Sequence, residues 1–92
     1  MTTFPCPYLN AGVELTDERE QHICNKHPEL LPTYREHLVR TVADPDEVRK
    51  DSRFPNSLLF SRWFPDVKEG KFVVVVVIAD PPPAERKWIV TA

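Results

Sequence analysis

The groups in this sequence with chemistry to offer are three histidines, one arginine set among apolar residues, a few lysines and a late threonine. Metal-free cleavage of RNA needs a base for the 2′-hydroxyl, an acid for the 5′ leaving oxygen and cations for the phosphate, and His, Arg and Lys fill those roles. His22 and His27 stand five residues apart and so do not share one helical stripe. His22 falls mid-helix, where it is either a half-buried residue bonded to a sheet or a catalytic group. His27 falls at a helix end, where the negative end of the dipole suits a positively charged ring, as a substrate-binding acid or as a cap. His37, beside Glu36 and Arg40, reads as a solvated surface residue. Arg62 lies among Leu58, Phe60 and Phe64 on one strand face, so its charge must be paired with a helix carboxylate or must line a cleft. Lys71, Arg86 and Lys87 flank the most apolar run and are candidates for a basic, substrate-binding strip, with Trp63 or Trp88 as a stacking surface. The bland alternative is edge-strand charge that discourages aggregation. Arg49, Lys50 and Arg53 read as a solvated face.

Other chemistries have no support. The chain lacks a G-x-G-x-x-G, a G-x-x-x-x-G-K-[ST], an H-E-x-x-H, a G-x-S-x-G and a C-x-x-C, which removes phosphate loops, zincins and elbow hydrolases. Cys24 and His27 have a C-x-x-H spacing and Cys6 is available as a third ligand, but no second paired spacing completes a zinc site. No metal and no cofactor are expected. Twelve Lys and Arg against fourteen Asp and Glu give a net charge of −2, so no global field attracts nucleic acid. The first 34 residues hold two basic and five acidic groups, the remainder ten and nine, so only the later part suits a polyanion. The first twenty residues lack the charged and apolar regions of a secretory signal, and the longest apolar run, Phe72 to Ala79, is far below the roughly 20 residues of a membrane span. A cytoplasmic protein with two reduced thiols and no membrane partner is expected.

The 92 residues make one domain. Ten prolines and two glycines punctuate the chain between periodic segments. Residues 1–12 (MTTFPCPYLNAG) read as an irregular arm and 13–92 as a single α+β domain. Val13 and Leu15 suggest a short strand. Thr16 is a good N-cap for a helix from Asp17 to about Lys26, which Pro28 ends. Leu31, Tyr34, Leu38, Val39 and Val42 recur at helical spacing and place a second helix at about Pro32 to Val42. Glu47 to Asp51 reads as a short strand, Ser57 to Phe64 as an alternating one, and Arg86 to Thr91 as a last one. Lys71 to Ala79 (KFVVVVVIA) is apolar throughout from Phe72, which predicts a central strand covered on both faces. The expected fold is two N-terminal helices packed on a three- to four-stranded antiparallel sheet.

The stretch His22-Ile23 to His27-Pro28-Glu29, then Pro45-Asp46 and Val48, then the terminal Val90-Thr91-Ala92, resembles a known pattern spanning roughly residues 13 to 92. It is similar to the phage-associated branch of the barnase, EndoU, colicin and RelE-like nuclease superfamily, whose members continue past this point with an aromatic residue and another element. The resemblance implies that same helix-on-sheet fold, RelE-like, and a metal-independent ribonuclease or toxin-like domain. It puts His22 at the catalytic helix histidine and Thr91 at the final-strand hydroxyl, with Arg62 added as the phosphate cation. RNA is the expected partner, with a cognate antitoxin or inhibitor protein if the domain is a toxin. Two other functions fit the sequence: an inactive RNA- or protein-binding domain of the same fold, and a module that pairs its edge strand near Arg86 to Thr91 with a partner strand.

Overall fold

The structure is a computed structural model and describes residues 2–92. Six strands form one mixed sheet in the order β1-β2-β6-β5-β4-β3. They are β1 (Thr2–Cys6), β2 (Ala11–Leu15), β3 (Glu47–Lys50), β4 (Ser57–Phe64), β5 (Lys71–Ala79) and β6 (Lys87–Thr91). The helices α1 (Asp17–Lys26) and α2 (Arg35–Ala43) follow β2, and a short 3-10 turn, Pro7–Leu9, joins β1 to β2. This corrects the expected fold: the helices are not N-terminal, and the sheet is neither four-stranded nor all antiparallel, because β2 runs parallel to β6.

The difference begins in the first twelve residues. Met1 lies outside the described residues, but Thr2–Cys6 is a strand and not an irregular arm. Pro5 disguised it. On an edge strand the missing N–H is tolerated when it faces away from the neighbour, and Phe4 and Cys6 then alternate into the core at 5% and 1% exposure. With β2 alongside β6, the strand expected to be a free edge is covered.

The later elements form where their patterns put them. Thr16 Oγ1 accepts from the Arg19 N–H at 3.2 Å, which caps α1, and Asp17, Glu18 and Glu20 occupy its first turn. α2 starts at Arg35, later than the apolar spacing suggests. Leu31 is buried as the anchor of a turn, in which Leu30 N–H donates to the His27 carbonyl and Tyr34 N–H to the Leu30 carbonyl. Ile23 of α1 and Leu38 and Val42 of α2 join Val13, Leu15, Phe60, Phe64, Val73, Val75, Val77 and Ile89 in one core. Burying side chains of this size contributes roughly 1.5–3 kcal/mol each. β5 is central, as expected, but only one face is covered: Val73, Val75 and Val77 are buried while Phe72 and Val74 on the other face are exposed.

One buried carboxylate closes the turn between β3 and β4. Asp51 Oδ1 accepts from the backbone N–H and the Nε of Arg53, each at 3.0 Å, and Oδ2 accepts from Arg53 Nη2 at 3.1 Å. The Arg53 side chain, then its backbone N–H, holds the Asp51 carboxyl below its ordinary value. Since the folded value lies below the unfolded one of about 3.9, the resulting stability is complete above that pH and is lost as pH falls through the folded value. Asp51→Asn is therefore expected to lower the urea midpoint at pH 7, with the gap to the wild type closing in the acid range below pH 4; a gap independent of pH would show that the carboxylate is not the stabilising species.

Candidate active site

Across the strand β5 the pairing is unequal. β4 pairs with it from Lys71 to Ile78, whereas β6 pairs only with Val76 to Ala79. Along the other half, on the β6 side, lies a cleft of about 230 Å³ shared by His27, Glu29 and Leu30 from the segment after α1, Lys68 before β5, and Lys71 and Phe72 within it. Enclosed ligand pockets run from about 300 to 1,000 Å³. A smaller cleft suits one residue of a longer substrate better than a whole small molecule.

Local sequence explains how its groups meet. Pro28 disfavours helical geometry at the preceding residue, and His27 leaves the helix with φ −131 and ψ 71 while its N–H still donates to the Ile23 carbonyl. The chain then turns so that Glu29, two residues on, reaches back: its Oε1 lies 3.1 Å from His27 Nδ1. That contact leaves Nε2, which has no hydrogen-bond partner among the described residues, as the nitrogen able to exchange a proton. The Glu29 carboxyl is held below its ordinary value by its own backbone N–H, with smaller help from His27 and from the charge of Lys68. An ionised Glu29 orients the imidazole through this contact. Lys71 has no ion-pair partner among the described residues. The cleft therefore assembles an oriented acid–base group and two cations.

Of the residues singled out in sequence, His27 and Lys71 are brought together here. The others are dispersed. His22 is exposed on α1, beside the buried Ile23. Arg62 Nη1 donates to the backbone carbonyl and to Oδ2 of Asp44, at 2.6 and 2.8 Å, and its guanidinium lies over the Phe64 ring. Its charge is thus paired, although by a loop aspartate and not by a helix carboxylate. Thr91 faces Val76 and Arg62 faces Val73 across opposite sides of β5. Their backbones are about 14 Å apart by strand spacing and rise. Thr91 Oγ1 is buried without a hydrogen-bond partner among the described residues. His22, Arg62 and Thr91 therefore form no common groove. Lys87 pairs with Ala79 at the far end of β5, about 26 Å of strand from Lys71, so the basic strip does not exist. Arg86 is taken up by Glu14, at 3.4 Å, and by the Trp88 ring.

No protein-family model, no curated protein and no solved structure matches this chain. Glu29 and Lys68 were missed in sequence. The signal for Glu29 was present in His27-Pro28-Glu29, where a proline that ends a helix can turn a carboxylate back onto the last ring; Lys68 reaches the cleft through a turn with left-handed residues at Lys68 and Glu69, which only the folded chain displays.

His37 is not solvated as expected. Its Nε2 lies 2.7 Å from Asp66 Oδ2, and its ring meets Tyr34 and Phe64 edge-on at 5.1 and 4.6 Å. It joins α2 to the segment after β4. Arg62 likewise ties β4 to the loop after α2, and a surface pair of this kind contributes up to about 1 kcal/mol. Arg62→Ala should accordingly reduce stability modestly, with a coupling to Asp44→Ala of at most about 1 kcal/mol in a double-mutant cycle, and should leave ligand binding in the His27 cleft unchanged; lost binding in a folded Arg62→Ala protein would return Arg62 to the site.

Proposed function

We propose that this chain is a metal-independent endoribonuclease whose acid–base group is His27. The observation that carries the reading is the His27–Glu29 pair in a cleft that also holds Lys68 and Lys71. His27 Nε2 takes the proton of a 2′-hydroxyl as its oxygen attacks the adjacent phosphorus, and Glu29 supports the imidazolium that forms. Lys71 and Lys68 offset the charge that builds on the phosphoryl oxygens. The bond to the 5′ oxygen breaks, the imidazolium returns its proton to that oxygen, and the products are a 2′,3′-cyclic phosphate and a 5′-hydroxyl. The resemblance to the barnase, EndoU, colicin and RelE-like nucleases supports the same class of reaction, with the acid–base role moved from His22 to His27. A toxin-like role adds a cognate inhibitor protein that would cover this cleft. We place the chain in the cytoplasm, in line with its two free cysteines. The structure has no helix long and apolar enough to cross a membrane among the described residues.

A second reading, a binding domain without turnover, draws on the presence of only one histidine in the cleft. The two separate in one assay. End-labelled transfer RNA is incubated with the protein in excess chelator. Cleavage leaving cyclic phosphate ends is expected from the wild type, with a loss of about 100-fold or more in His27→Ala, a smaller loss in Glu29→Gln and none in His22→Ala. Retention of RNA without cleavage by the wild type would establish the binding domain instead, and activity that survives in folded His27→Ala would remove His27 from the mechanism.

A further inference from the structure

Trp63 and Phe72 are directly opposite one another on β4 and β5, on the sheet face that the helices do not cover. They are 47% and 54% exposed, and their rings meet edge-on with centroids 5.1 Å apart at 70°. Large aromatic side chains in that position contribute to strand pairing only modestly, about 0.2–1 kcal/mol, so stability does not account for leaving both in water. The Trp63 indole is also held in place. It lies over Gly70, where a Cβ would come within 2.6 Å of its Cζ2, and Gly70 has a φ of +111 that other residues rarely adopt. The Trp63 backbone N–H is fixed by Asp46 Oδ2 at 2.7 Å.

The pair is continuous with the cleft. Phe72 lines it, and so does Lys71, the next residue. Lys71 and Phe72 project to opposite faces of β5. A chain whose phosphate is held by Lys71 beside His27 therefore reaches the rings by crossing the edge of β5 that β6 leaves open. The two rings, inclined at 70°, offer a seat with one plane for a base to lie on and one for its edge.

We propose that Trp63 and Phe72 form a base-stacking subsite, and that the substrate of the His27 cleft is single-stranded RNA. The chemistry that fits is a chain carrying both phosphates and free π faces. Stacking on such rings tolerates any base and is worth roughly 1–3 kcal/mol per base. A duplex cannot use the seat, because its bases are stacked inside the helix and only its backbone and groove edges are presented. With Lys68 and Lys71 as the phosphate contacts, the salt dependence should be shallow, with a slope in log K against log salt of about −1.4.

The identity of the substrate rests on the nuclease reading, whereas the subsite is tested without turnover. A 2′-O-methylated single-stranded 12-mer, which cannot be cleaved by this route, is titrated against the full chain carrying Trp88→Phe, so that Trp63 is the sole indole. Quenching of Trp63 emission by the single strand and little response to the matched duplex are expected. Anisotropy of the labelled 12-mer should report about tenfold or weaker binding for Phe72→Ala, for Phe72→Leu, which keeps the apolar bulk but not the ring, and for Trp63→Ala. This binding is read without turnover, so a failed cleavage assay does not by itself decide this one. Equal binding by Phe72→Leu, or equal affinity for duplex and single strand, would overturn the subsite. So would a wild type that binds no RNA but self-associates in sedimentation and becomes monomeric in Phe72→Ala, which would assign the face to a second copy of the chain.

Discussion

Burial of Val73, Val75 and Val77 under α2 places β5 at the centre of the molecule, and the chain on either side of β5 is arranged around that burial. β4 accompanies β5 along nearly its full length, which fixes the register of Phe60 and Phe64 in the core and sets Trp63 against Phe72 on the far face. β6 accompanies it over the second half alone. The segment after α1, from His27 to Leu30, reaches the other half with side chains in place of a backbone ladder. A strand that is fully hydrogen-bonded on one side and half open on the other has room for polar chemistry beside a rigid support.

The distribution of charge follows from the same arrangement. Most arginines are committed to structure: Arg35 to Glu20 and Thr2, Arg53 to Asp51, Arg62 to Asp44, and Arg86 to Glu14. Arg35 and Arg62 join segments that the sheet does not pair, Arg86 adds to the β2–β6 pairing, and Arg53 closes its own turn. The lysines of the cleft differ, because Lys68 touches Glu29 only through its field and Lys71 makes no ion pair among the described residues. A net charge of −2 therefore says little about the cleft. Two histidines have carboxylate partners, and their surroundings separate their roles. His37 is enclosed by Tyr34 and Phe64, and its pairing lowers the pKa of Asp66, which makes it a tie between α2 and the chain after β4. His27 has its Glu29 partner at the mouth of a cleft, with Nε2 unengaged.

Local pattern alone determined a good deal about this protein. The span of α1, its Thr16 cap, the alternating strand Ser57–Phe64, the apolar strand Lys71–Ala79 and the last strand are all readable, because capping, period and proline act over a few residues. His27 and Lys71 were also readable as candidates, and the structure brings the two to one cleft. Tertiary structure decided the rest. An edge strand containing Pro5 has no local signature that separates it from a loop, and only its pairing with β2 shows it to be one. Nor does an apolar run report how many of its faces are covered; KFVVVVVIA has Val73 inside and Val74 in water. Which carboxylate pairs with Arg62, and which histidine shares a cleft with a lysine, depends on contacts between residues far apart in sequence. Hydrogen-bonding and packing preferences along the chain set the elements, while the site arises from the register at which β6 meets β5, a relation between segments that no single segment encodes.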